Sequence, residues 1–202
     1  QLGATHSQTP DVIFAHFPGL KVIAPGTPAD AKGLLKAAIR CDDPVMFIEH
    51  ATLYQTRGEV PDGDYVVPIG KSKVQREGKD VTIVTYSKML EVSMKAADQL
   101  AKMGIEVEIV DLRTLRPLDM EPVITSFKKT NHAVVVEEGW KSFGVGAEIA
   151  TRIYEEAFDY VDAPVKRVAQ DEVPLPYNRT LEQMALPQVE DIISAVKEVL
   201  HV

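Results

Sequence analysis

The sequence predicts an α/β protein: a doubly wound, mostly parallel sheet preceded by a shorter α/β segment. Three observations point there. From residue 20 onward, short apolar runs alternate with segments of helical period. That alternation implies right-handed crossovers between parallel strands. The run "PVMFIEH" is apolar almost throughout, as in a strand covered on both faces. One stretch, about 51–79, interrupts the pattern with Gly, Pro and charge and holds only a short extended piece near "YVVPI". Loops longer than ~12–15 residues are uncommon inside one compact domain. The stretch therefore reads as a linker, and the chain divides into 1–55, a linker 56–78, and 79–202.

The elements follow in order. "LKVIAP" is a strand, and "TPADAKGLLKAAIRC" a helix with Thr27 as N-cap and Pro28 at its first position. "PVMFIEH" is the second strand. Beyond the linker, "DVTIVTYS" is a strand, followed by a helix with Met89, Val92, Ala96, Leu100 and Met103 on one face and Gly104 at its end. "IEVEIVDLR" is the next strand. Met120, Val123, Ile124 and Phe127 recur at i, i+3, i+4 and i+7 of a helix. "HAVVVEEG", "GVGAEIATRIYEEAF" and "PVKRVAQ" read as strand, helix and strand. Val189, Ile192, Ile193, Val196 and Leu200 share one face of the last helix.

Composition narrows the function. The chain has 202 residues, 45% of them apolar, enough for a real core, and a net charge of −8. An acidic chain without a basic cluster is a poor nucleic-acid ligand. The one cysteine, Cys41, excludes an internal disulfide and fits a reducing compartment. No run reaches the ~18 apolar residues of a membrane helix. The first residues resemble no signal peptide, and a start at Gln1 suggests a fragment or processed product.

Four places carry possible chemistry. Gly144 and Gly146 in "GVG" lie between a strand and a helix, where phosphates often bind. Ile149 stands where the dinucleotide fingerprint needs its third glycine, so tight packing is the favoured reading. Glu137 and Glu138 close a strand at the end where open sheets place ligands. Adjacent strand residues point to opposite faces, so they read as a solvated or interface pair and not as a catalytic dyad. Asp42 and Asp43 follow a helix C-terminus that already carries partial negative charge. Either a cation answers them or they turn the chain into Pro44. His6 lies in a polar segment ahead of a helix and can exchange a proton near neutral pH. His16, His50, His132 and His201 have no metal-ligand spacing.

The segments "THSQ", "PGLKVIAP", "DAKGLLKAAIR", "DLRTLRPLD", "VEEGWKSFGVGAE" and "LPQVEDIISAVK" together resemble the beta subunits of the thiamine-dependent 2-oxo acid dehydrogenases, in the transketolase superfamily. "EEGWKSFGVGAE" and "EVPLPYN" are most similar to the pyruvate branch; the branched-chain and acetoin branches are the near alternatives. The resemblance implies that residues 1–55 are the last part of a domain binding the aminopyrimidine of thiamine diphosphate, and that 79–202 form a transketolase C-terminal-like domain. The family's cofactor-activating glutamate falls upstream, so no cofactor-binding residue is expected in this chain. Mg2+ is implied on the alpha subunit.

The resemblance implies three sites. His6 corresponds to a histidine handling protons around the keto acid and lipoyl group. Ala38, Ile39 and Cys41 carbonyls with Asp43 correspond to a potassium site, although Cys41 stands where Asp is usual and Asp43 where Asn is usual. Asp162 and the carboxylate of Val202 correspond to a surface that docks a basic domain of the dihydrolipoyl acetyltransferase core. The implied activity is oxidative decarboxylation of pyruvate with acetylation of a lipoyl group. Implied partners are an alpha subunit and a second beta subunit; the location is cytoplasmic in a bacterium, mitochondrial or plastid in a eukaryote. By itself the segment is expected to be inactive; the alternative reading is a non-catalytic assembly and docking module.

Overall fold

A computed structural model describes residues 1–202. The order of elements is α1 (Asp11–His16), β1 (Lys21–Ile23), α2 (Pro28–Ile39), β2 (Val45–Phe47), a 3-10 turn (Ala51–Gln55), β3 (Lys73–Arg76), β4 (Val81–Thr85), α3 (Lys88–Ala101), β5 (Val107–Asp111), β6 (Thr114–Arg116), α4 (Glu121–Thr130), β7 (Ala133–Trp140), α5 (Val145–Ala157), β8 (Lys166–Gln170), α6 (Arg179–Ala185) and α7 (Val189–Leu200).

Five strands form the main sheet in the order β3-β5-β4-β7-β8. β4, β5, β7 and β8 run parallel, and β3 pairs antiparallel with β5 at one edge. Each central strand divides its side chains between two cores, because successive residues point to opposite faces. Val84, Val110 and Val135 meet Val123, Ile124 and Phe127 of α4 and Ile149 and Ile153 of α5. Ile83, Ile109, Val134 and Val136 meet Leu90, Ala96 and Leu100 of α3 and Ile192, Val196 and Val199 of α7. Helices on both faces make the sheet doubly wound. Each fully buried Leu, Ile or Phe contributes about 1.5–3 kcal/mol.

A second sheet holds three strands in the order β2-β1-β6. β1 runs parallel to β2 and antiparallel to β6. Since β6 comes from the second half of the chain, the two halves share a sheet. Val12, Phe14 and Ala15 of α1 also pack against the core under α4 and α5.

Local signals place the helix ends. The Thr27 hydroxyl accepts the Asp30 N–H at 3.1 Å at the start of α2. After α3, Gly104 takes φ +83°, and the Ile105 N–H returns to the Leu100 carbonyl at 3.0 Å.

Four expectations are corrected. "YVVPI" forms no strand; the extended piece is β3, inside the stretch read as linker, where it adds to the edge of the main sheet. β2 is only half-buried, because as the edge of its sheet it has a neighbour on one side alone. Met103 is exposed, since α3 ends before it and Leu100 is the last residue to face the core. Val199 is buried in α7 more fully than Leu200.

Candidate active-site cleft

The strand order reverses direction between β4 and β7. The connection leaving β4 through α3 runs over one face, and the one entering β7 through α4 runs over the other. A crevice opens where neighbouring strands part company in this way, at their carboxyl ends. The residues just past β4 are Tyr86, Ser87 and Lys88, and the residue near the end of β7 is Glu138. All four line one cavity of about 290 Å³, together with His6, Ser7, Gln8, Asp11, Glu49, His50 and Thr52 from the first half of the chain.

His6 reaches the cavity from a turn. Gly3, at φ +72°, lets the chain fold back so that its carbonyl accepts the Ser7 N–H at 3.0 Å. His6 itself is exposed at the cavity mouth. The turn is anchored behind it by Asp11, whose carboxylate accepts the Tyr86 hydroxyl at 2.6 Å and the Val12 N–H at 2.7 Å. Burial raises the Asp11 carboxyl above its usual range, working against those hydrogen bonds. It also pushes the Tyr86 hydroxyl well up, with the Asp11 charge next in effect.

Glu137 and Glu138 point to opposite faces, as adjacent strand residues must, but Glu137 is not solvated. It is 1% exposed, beneath the N-terminus of α5, where its carboxylate accepts the Gly146 N–H at 3.1 Å. A Cβ at Gly146 would sit 2.5 Å from that carboxylate, and one at Gly144 2.7 Å from it. "GVG" is therefore a packing motif: an internal carboxylate already occupies the helix end where a phosphate would bind. Burial pushes Glu137 up to about 7, partly offset by the Gly146 N–H. Glu138 faces the cleft and accepts the Nε2–H of His50 at 2.9 Å.

The other expected site residues lie elsewhere. Lys21 answers the charge at the C-terminus of α2, with Nζ 2.8 Å from Asp43 and 3.0 Å from the Cys41 sulfur. The Ala38 carbonyl accepts the Cys41 N–H at 3.2 Å, and the Ile39 and Cys41 carbonyls accept no hydrogen bond from the chain. Asp162 and Val202 are both exposed, and no hydrogen bond or ion pair joins them. Spacing alone misses Asp11, Tyr86, Lys88 and His50. The legible signal was position, because Tyr86, Lys88 and His50 all follow the carboxyl ends of strands that run parallel to a neighbour.

A doubly wound sheet with a polar cleft at its switch point, completed from a second sheet, defines an α/β protein whose two halves build one site. Residues 70–192 match the family described as "Transketolase, C-terminal domain", and residues 1–57 match "Transketolase, pyrimidine binding domain". The chain belongs to the transketolase C-terminal domain family.

It is 50% identical over 204 residues to "Pyruvate dehydrogenase E1 component subunit beta-2, mitochondrial" of Oryza sativa subsp. japonica, covering 99% of this chain and 54% of that protein. It is likewise 50% identical over 202 residues to "Pyruvate dehydrogenase E1 component subunit beta" of Rhizobium meliloti (strain 1021), covering 100% of this chain and 44% of that one. The chain thus spans about half the length of these relatives. Among solved structures, "Split gene transketolase, inactive beta4 tetramer" superposes with a TM-score of 0.80 at 26% identity, covering 98% of this chain and 63% of the other. No helix is long and apolar enough to cross a membrane.

Proposed function

We propose that this chain is part of the beta subunit of a pyruvate dehydrogenase, which decarboxylates pyruvate on thiamine diphosphate and acetylates a lipoyl group together with an alpha subunit and a second beta subunit. The observation that carries this reading is a similarity of about 50% identity that runs through the whole chain, with His6 at the mouth of the switch-point cleft.

The cleft's donor set suits one end of thiamine diphosphate. His6, Ser7, Gln8, Thr9 and Thr52 offer hydrogen-bonding groups to a polar heterocycle or acyl group. The lining lysine, Lys88, is paired with Glu91 at 2.5 Å. No group of three or more His, Cys, Asp or Glu is placed to hold a metal ion. In this reading diphosphate and Mg2+ are held by the alpha subunit, as the family resemblance implies. Bound thiamine diphosphate would supply the electron sink that stabilises the carbanion left by decarboxylation. This chain's part is to seat the reacting end and, through His6, to move a proton at the keto acid or lipoyl sulfur.

Two lesser sites complete the reading. The free carbonyls of Ile39 and Cys41, with Ala38 and Asp43 beside them, would hold K+, to be checked by comparing thermal stability in KCl and NaCl. Asp162 and Val202 would dock the acetyltransferase core, to be checked by the affinity of Asp162→Ala at low salt.

The main test is reconstitution of the full-length beta subunit with its alpha subunit and assay on pyruvate, branched 2-oxo acids and acetoin. Pyruvate is expected to be the best substrate. His6→Ala is expected to cut lipoyl acetylation by about 10²-fold or more with folding intact. Wild-type turnover in that variant would refute the role of His6.

A further inference from the structure

His50 ends the segment that follows β2, and both of its ring nitrogens are committed. Nδ1 accepts the Thr52 N–H at 3.3 Å and faces the Thr52 hydroxyl at 2.9 Å. An acceptor nitrogen carries no proton, so the ring proton sits on Nε2. That N–H points between the two carboxylate oxygens of Glu138, 2.9 Å from each. The contact spans 88 residues of sequence and joins the end of β2 to the end of β7. Both side chains are mostly covered, His50 at 24% and Glu138 at 17% exposure. It is the one side-chain hydrogen bond between the 45–55 segment and the main sheet. His50 also caps the 3-10 turn Ala51–Gln55, whose Ala51 and Thr52 line the cleft.

We propose that His50 is a positioning residue for the reaction at His6: held by Glu138, it fixes the Ala51–Gln55 turn against β7 and so sets the shape of the cleft that admits the keto acid. This rests on reading the His6 cleft as the reaction site. Without the pair, only short-range bonds hold the turn, such as Leu53 N–H to the His50 carbonyl at 2.9 Å. A looser wall weakens substrate seating more than it impairs the chemical step, so KM rises while kcat holds.

The test uses the assembled two-subunit enzyme with His50→Asn, Glu138→Ala, Glu138→Gln and the His50→Asn/Glu138→Ala double variant. His50→Asn keeps an acceptor for the Thr52 N–H but ends short of Glu138. Glu138→Gln keeps a carbonyl oxygen that accepts the Nε2–H. The readouts are amide hydrogen exchange over residues 51–56 and the KM and kcat for pyruvate. His50→Asn and Glu138→Ala are each expected to speed exchange about tenfold and to raise KM about fivefold, with kcat within about twofold. Glu138→Gln should stay near wild type, and the double variant should equal either single one. Unchanged exchange at 51–56, additive effects in the double variant, or Glu138→Gln as damaging as Glu138→Ala would each overturn the proposal. Exchange does not depend on turnover, so an active His6→Ala enzyme would remove the site reading and leave the positioning of the turn separately tested.

Discussion

Asp111→Asn should make the protein's stability less dependent on pH. Asp111 ends β5 with no solvent exposure. Its carboxylate accepts the Arg113 N–H at 3.1 Å and a Gln75 amide N–H at 3.3 Å. The guanidinium of Arg113 is turned to Asp30, 3.0 Å away, and to the Lys71 carbonyl at 2.9 Å. Burial first, and the Asp30 charge second, push Asp111 from 3.8 up to about 7. Below pH 3.8 the folded and unfolded chains both hold the proton. Between 3.8 and 7 the unfolded chain releases it first, so folding loses stability as pH rises through this window. Above 7 both are ionised and the penalty is constant. At about 1.4 kcal/mol per unit, the full displacement is at most roughly 4 kcal/mol, of which about 2–3 kcal/mol falls between pH 5 and 8.

Asn at this position cannot ionise. It keeps the acceptor for Arg113, and Gln75 can turn its amide to accept from the new donor. Urea unfolding of both proteins at pH 5, 6, 7 and 8 measures the difference, in which the other carboxylates cancel. The variant should gain on the wild type from pH 5 to about 7 and level off above that. A stability difference that stays constant from pH 5 to 8, or one that moves against the variant, would refute the reasoning.

Gly146→Ala brings a Cβ to 2.5 Å from the buried Glu137 carboxylate and should cost about 1–3 kcal/mol through overpacking, read as a lower denaturant midpoint with the transition slope unchanged. Thr27→Ala removes the acceptor of the Asp30 N–H and should cost about 1 kcal/mol by the same measurement. No loss in either case would count against the packing or capping role assigned to that residue.

The sequence alone determined the alternation of strands and helices, the cap at Thr27, the stop at Gly104 and the buried faces of α3, α4 and α7, because these depend on neighbours within a few turns of chain. It also made plain that Glu137 and Glu138 face opposite ways, since that follows from the pleat. His6 became a candidate through its place in a polar segment ahead of a helix, and family resemblance implied its role. Only the tertiary structure decided that Glu137 caps α5 from below, that Tyr86 holds Asp11, and that His50 meets Glu138. The last two join residues that are distant along the chain, and separations of 75 and 88 residues leave no local period to read; the first spans nine residues but depends on how α5 packs back over β7. β3 was missed for the same physical reason: a short half-buried edge strand, Lys73–Arg76, owes its conformation to pairing with β5 more than to its own residues.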